Sequence, residues 1–245
     1  MAELTRPAAG QTPLHEWVRQ LIEERIECGF YKTDQLLPSA AALGRELSVS
    51  LITTRRALRE LQFSGAIRST TGIGSFVNER IRFVHNLNKV KDPLYGITDD
   101  ARRLGREATI EMLKVERSDP PEREFDLFSP SSGPHYCIKK LILLDRRPIT
   151  LDLTYITLPV DTRLLDEFSQ DFVYEVLRRR SFLVPRSRTY IDANPAAPDA
   201  ARLLDVAPGF PMLRRFYSPE IEGSDMRVYG VAVSPFDRIG IMIER

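Results

Sequence analysis

The chain has 245 residues, enough for one large domain or two modest ones. With 35 Lys+Arg against 34 Asp+Glu its formal charge is +1, which gives no support to a histone-like or polybasic binder but leaves room for one small basic face. Apolar residues at 42% and charged residues at 28% exclude wholesale disorder.

Residues Met1–Thr12, small and polar, read as a flexible tail. From Pro13, Leu14, Trp17, Val18, Leu21, Ile22 and Ile26 recur at helical spacing up to Gly29, and the stripe, Trp17 included, reads as a core face. Ser39 and Ser50 are each placed to cap a following helix, the first over Ala40–Leu47, the second over Ile52–Ser64. Only a short turn separates these two helices. Ile67–Val77 then reads as two short strands around a glycine-bearing turn. Three helices followed by a hairpin describe a helix-turn-helix with a β-wing. Between Arg45 and Arg68 five arginines (Arg45, Arg55, Arg56, Arg59, Arg68) face two glutamates, while the first helix holds Glu16, Glu23, Glu24 and Glu27. The near-neutral total therefore conceals a basic and an acidic side. A run such as Arg55-Arg56 taken alone is a solvated helix surface, and it is the arrangement that gives it meaning.

Residues 79–93 read as a linker. Beyond it, Ala108–Arg117 alternates like a strand, and Tyr136–Leu144 and Pro148–Thr157 form a hairpin around Asp145-Arg146-Arg147. Leu164–Arg180 has helical spacing, Arg186–Ala193 reads as a strand and Pro198–Leu204 as a short helix. Met212–Tyr217, Arg227–Ser234 and Ile239–Ile243 complete the strands. The expected fold class is α+β: an N-terminal winged helix-turn-helix over 13–78, and an antiparallel-sheet domain over 94–245.

Gly29, Leu37-Pro38-Ser39, Val49-Ser50, Thr53, Arg55, Ala57-Leu58, Leu61, Gly65-Ala66-Ile67 and Gly72–Val77 resemble the winged helix of GntR-family bacterial transcription regulators. The remainder resembles the effector-binding (UTRA) domain of the HutC subgroup, whose fold is chorismate-lyase-like. The residues that carry this are Arg147-Pro148-Ile149, Tyr155, Tyr174–Leu177, Ala200–Val206, Gly209–Leu213 and Phe236-Asp237-Arg238. The resemblance implies a ligand-responsive repressor, released by a small-molecule effector from a pseudo-palindromic double-stranded DNA operator that a homodimer grips with two winged helices.

Ser39, Arg45, Ser50, Thr53, Thr54, Arg55, Arg56, Arg59 and Arg68 become candidate phosphate or base contacts, and Gly72 and Gly74 let the wing backbone approach DNA. Two positions depart from the family pattern: Ala40-Ala41 replaces a Glu-Arg pair, and Leu51 replaces an arginine. Each lost phosphate contact lowers the salt slope by about 0.9, so an altered operator and a weaker salt dependence are expected.

For the effector, related domains use a basic pair two residues apart and an acid on the next strand, positions that here read Lys140, Ile142 and Asp152. Thr98, in the loop opening the domain, and Tyr174 match further ligand-facing positions. The usual closing glutamate and tyrosine are Val228 and Ser234. One cation replaced by isoleucine points to a less charged, more apolar ligand than a sugar phosphate. Lys140 and Asp152 also read as a surface residue on a sheet edge with its ion-pair partner, and both readings stand.

Cys28 and Cys137 show no CxxC spacing, and His15, His85 and His135 are far apart, so neither a disulfide framework nor a metal or cofactor site is expected. There is no apolar run of membrane-spanning length and no basic-then-apolar leader, so the expectation is a cytoplasmic protein without a membrane partner. An enzyme is not expected, since no GxSxG, no oriented Cys/His pair and no phosphate loop is present. The alternatives to a regulator are a lyase-like enzyme or a ligand-binding scaffold on the same C-terminal fold.

Overall fold

The computed structural model describes residues 6–7, 12–70, 72–78, 83–87, 94–121, 123–130 and 133–243. Most of the N-terminal tail and of the segment read as a linker lies outside them. Contacts divide the chain into two units, Met1–Arg82 with Asp205–Phe210, and Phe83–Leu204 with Pro211–Arg245.

The first unit opens with α1 (Leu14–Glu27), whose Trp17, Val18, Leu21, Ile22 and Ile26 are buried on one stripe. Trp17 is a packing residue, 6% exposed within the core that Leu43, Ala57, Leu61, Ile67 and Val77 complete. Ser39 Oγ accepts the Ala42 N–H and starts α2 (Ala40–Glu46); Ser50 Oγ accepts the Thr53 N–H and starts α3 (Leu51–Phe63). Each cap satisfies an orphan donor worth about 1 kcal/mol. The wing pairs β1 (Ile67–Thr70) with β2 (Gly74–Val77), Ile67 opposite Val77 and Thr70 opposite Gly74. At its turn Gly72 and Gly74 have φ of +80° and +141°, conformations in which a side chain is strained.

The second unit is a six-stranded antiparallel sheet in the order β4-β5-β6-β9-β8-β7. Its strands are β4 (Ala108–Arg117), β5 (His135–Leu144), β6 (Arg147–Thr157), β7 (Arg186–Pro195), β8 (Pro211–Glu220) and β9 (Val228–Pro235). Inside the segment read as a linker, Phe83–Asn86 is a strand, β3, paired in parallel with β10 (Ile239–Met242). Its Phe83 and His85 are buried, so sequence-distant chain supplies the partner that a linker reading omits.

Alternation along the strands separates two faces. Tyr155, Phe216, Tyr229 and Val231 point to one, where they pack with Phe125 and Phe128 of a 3-10 turn at Arg123–Phe128. Phe125 meets Tyr155 and Phe216 edge-on at ring-centroid distances of 5.4 and 5.2 Å. The other face carries α4 (Ile97–Arg103), α5 (Thr162–Gln170) and α6 (Val173–Arg179). The helix expected as continuous over Leu164–Arg180 is thus two. Asp171, at φ −139° and ψ 170°, breaks it, and the carbonyls of Phe168 and Asp171 receive hydrogen bonds from Lys140. A buried ammonium from the sheet supplies what continuation of the helix would have supplied. A short helix, α7 (Pro198–Leu203), follows β7.

Candidate functional site

In the first unit the buried side of α3 is Thr54, Ala57 and Leu61. The opposite side presents Ile52, Arg55, Arg56 and Arg59 to solvent. Arg56 is paired with Glu60 at 3.2 Å, whereas Arg45, Arg55 and Arg59 are exposed and their side chains have no partner among the described residues. Ser39, Ser50 and Gly74 are exposed and Thr53 is partly so. Ser50 and Thr53 hold each other at 2.8 Å. Arg68 bonds Asp34 at 2.9 Å and lies over the Phe76 ring at 4.6 Å, so it braces the wing.

Thr54 is a correction. It is fully buried and its hydroxyl donates to the Ser50 carbonyl, which removes it from any phosphate. Sequence periodicity contained that signal, since Thr54 shares the stripe of Ala57 and Leu61.

In the second unit two adjoining cavities, with about 430 and 420 Å³ of empty space partly open to solvent, lie over the helix-bearing face of the sheet. Concavity, apolar lining and a few convergent polar groups, not volume, make them a candidate ligand site. Both are bordered by Ile97, Ile142, Asp152 and Arg215. Strand register explains the meeting: Lys140 faces Asp152, Asp152 faces Ala232 and Ala232 faces Arg215 across four strands. The outer cavity adds Gly96, Thr98, Lys140, Tyr174 and Tyr217; the inner one adds His85, Thr150, Leu213 and Ser234.

Lys140 is 1% exposed on an interior strand, and Asp152 is taken by other partners. Asp152 accepts from Thr154 Oγ1 at 2.7 Å and from the Tyr217 hydroxyl at 3.0 Å. The surface ion-pair reading of these two residues is therefore overturned. Burial pushes the Lys140 ammonium down, against the pull of Asp152 and Asp171. Burial also drives the Tyr217 phenol well above its ordinary range, with Asp152 adding to the shift, so it donates as a neutral hydroxyl. Its ring reaches Asp152 only because residue 230 is glycine: a Cβ there would lie 2.1 Å from the ring.

Thr98 sits on α4 and not in a loop, and donates to Glu175 at 2.7 Å. Tyr174 shares a hydrogen bond with Ser187 at 3.1 Å, and Ser234 shares one with Thr150 at 2.8 Å. Val228 is a second correction: fully buried, it packs with Ile138, Ile156 and Val176 and lines neither cavity. It stands on the cavity face of β9 but beyond Gly230, where the apolar side of α6 covers the sheet.

Arg215 and Tyr217 were not anticipated. Arg215 lies over the Tyr217 ring at 4.7 Å and makes no hydrogen bond or ion pair among the described residues. The sequence signal was their alternation on β8.

Two family models match the chain: the gntR family of bacterial regulatory proteins over residues 14–77, and the UTRA domain over 103–215. The chain belongs to the GntR family, in its HutC branch with a UTRA domain. It is a ligand-responsive DNA-binding regulator. The histidine utilization repressor of Klebsiella aerogenes is 36% identical over 74 residues, 30% of this chain and 31% of that protein. The mannosyl-D-glycerate transport/metabolism system repressor MngR of Escherichia coli is 23% identical over 84% of this chain and 85% of its own. In fold, the chain is similar to PhnF from Mycobacterium smegmatis, with a TM-score of 0.59 at 17% identity over 93% of this chain and 98% of that one. Among the described residues no helix is long and apolar enough to cross a membrane.

In this GntR regulator Arg55, one of the residues that carry the family resemblance, is exposed on α3. Leu51, which stands where the pattern has arginine, is 40% exposed, and Ile52 beside it 79%.

Proposed function

We propose that the protein is a homodimeric repressor whose α3 helices enter successive major grooves of a pseudo-palindromic operator, and that a small molecule in the cavities beside Asp152 releases it. The observation that carries the DNA half is the exposed set Arg45, Arg55 and Arg59 around α3, whose side chains have no partner among the described residues. A guanidinium left to solvent is available to phosphate or to guanine. Relatives named as repressors of histidine utilization and of a mannosyl-D-glycerate system support the sign of regulation. Catalysis plays no part in this reading, and the site of action is the cytoplasm.

Ligand binding changes the spacing or orientation of the two reading helices. Half-sites lie a fixed number of helical turns apart, so a small rotation forfeits half of the contacts. Electrophoretic mobility shift with DNA upstream of its own gene is the test. Retardation by the whole chain is expected, and no retardation by any neighbouring promoter would favour a scaffold. Replacing Asp152 by Asn is expected to preserve that shift and to blunt its reversal by small molecules.

A further inference from the structure

Buried polar atoms almost always have a partner, so two that lack one beside the same cavity call for an explanation, and a bound molecule is one that the cavity allows. The inner cavity is bordered by two such groups. His85 is 3% exposed, and among the described residues its Nε2 has no hydrogen-bond partner; Arg215 is partly exposed, and one buried terminal nitrogen of its guanidinium likewise has none. Neither follows from the family pattern, which places ligand contacts elsewhere.

The surroundings fix the chemistry of His85. Its Nδ1 lies 2.8 Å from Asp100 Oδ2, so Nδ1–H donates to the carboxylate and neutral Nε2 presents a lone pair. Asp100 is fully buried and also accepts from the Asn86 N–H at 2.9 Å and the Tyr95 hydroxyl at 2.7 Å, which locks the imidazole's orientation. Burial lowers the His85 pKa, and the nearby Arg215 charge lowers it further, against the upward pull of Asp100 and Asp99. The charged or titratable groups around it are Asp99 and Asp100 on α4, Arg215 on β8 and Asp152 on β6, while β10 contributes only Ile239 and Ile241.

The inward nitrogen of the partly exposed Arg215 guanidinium has no partner among the described residues, and an anion in the cavity would supply one. The Thr150 and Ser234 hydroxyls share one hydrogen bond at 2.8 Å, which leaves the pair one further donor. Asp152 on the same wall disfavours a dianion, and Ile97, Ile142 and Leu213 suit an apolar body. We propose that the inner cavity is a carboxylate subsite: Arg215 and His85 hold the carboxylate of a small monoacid, and the anion enters with one proton from solvent, which rests on His85 Nε2. This rests on the effector reading above and adds the ligand's charge class and its pH dependence.

With three histidines in the whole chain, imidazole ¹⁵N spectra of the full-length protein resolve the event. The probe is benzoate, with benzamide as its uncharged counterpart. Near neutral pH, His85 should read as the neutral Nδ1–H tautomer, and benzoate should convert it to imidazolium while benzamide does not. Affinity should weaken about tenfold per pH unit wherever free His85 is neutral and bound His85 is protonated. R215Q should lose about tenfold or more in benzoate affinity, and R215K should recover part of it. R215Q orphans no hydrogen-bond partner among the described residues but loses the contact with the Tyr217 ring, so its melting transition is compared with the parent's before affinities are.

A His85 signal unmoved by millimolar benzoate, an equal response to benzamide, or a folded R215Q variant that binds like the parent would each overturn the subsite. Failure of the broader effector reading looks different: no compound from a screen of acids and sugar phosphates would then alter operator retardation.

Discussion

The two units place their cations in opposite settings. Around α3, Arg45, Arg55 and Arg59 stand in solvent without side-chain partners among the described residues, where charge costs little to maintain. Across the sheet, Lys140 is buried and bonded to two helix-end carbonyls, while Arg215 borders two cavities with one nitrogen unpaired. Exposed charge is free to meet a polyanion and is weakened by salt. Enclosed charge holds the fold together, as Lys140 does; the partly exposed Arg215 is the cation that the carboxylate proposal assigns to a ligand. The type of residue does not separate these roles; burial and hydrogen bonding do.

Core substitutions should separate the units most strongly. Leu61→Ala is expected to cost the first unit about 2–5 kcal/mol, read as an earlier urea transition, with the second unit's transition unmoved. Gly230→Ala should do the reverse at about 1–3 kcal/mol, because its Cβ meets the Tyr217 ring. Equal destabilisation of both units by either change would break the comparison.

Acid should act mainly on the second unit. Burial pushes Asp100 up, but hydrogen bonds from His85, the Asn86 N–H and Tyr95 outweigh it and hold the carboxyl below its ordinary value. A depressed pKa contributes stability that is present above the unfolded value and lost as pH falls through the folded one. His85, also depressed, has the same sign over a higher window, beginning below its ordinary value of about 6.5. Urea midpoints measured down the pH scale should therefore fall for the second unit first, and Asp100→Asn should flatten the lower part of that fall. A smaller effect is expected at the wing: Arg68→Ala removes a bond to Asp34 and stacking on Phe76, and should lower stability by about 0.5–1 kcal/mol.

Much of this was legible in the sequence because its signals are local. Capping serines, a helical stripe and a glycine turn announced the first unit, and strand alternation announced most of the second. The features that escaped depend on chain far away. β3 is a strand only because β10, some 150 residues later, pairs with it. α5 and α6 part at Asp171 because Lys140 reaches up from the sheet. In the cavity, Lys140, Asp152, Thr98, Tyr174 and Ser234 do line the walls, whereas Arg215 needed the strand order to be seen opposite Ala232. The isoleucine that replaced a family cation at position 142 suggested a less charged ligand, yet another strand returns a cation to the same space.

The division of labour is tested most directly by operator binding of Arg55→Ala, followed by fluorescence anisotropy across a salt series. A loss of about 1–3 kcal/mol in affinity, and a log–log salt slope shallower by about 0.9 where the contact is to phosphate, is the predicted result. The variant should melt as the parent does, since the Arg55 side chain has no partner to lose among the described residues. A folded Arg55→Ala protein that binds the operator with undiminished affinity and the same salt slope would contradict the assignment of α3 as the reading helix.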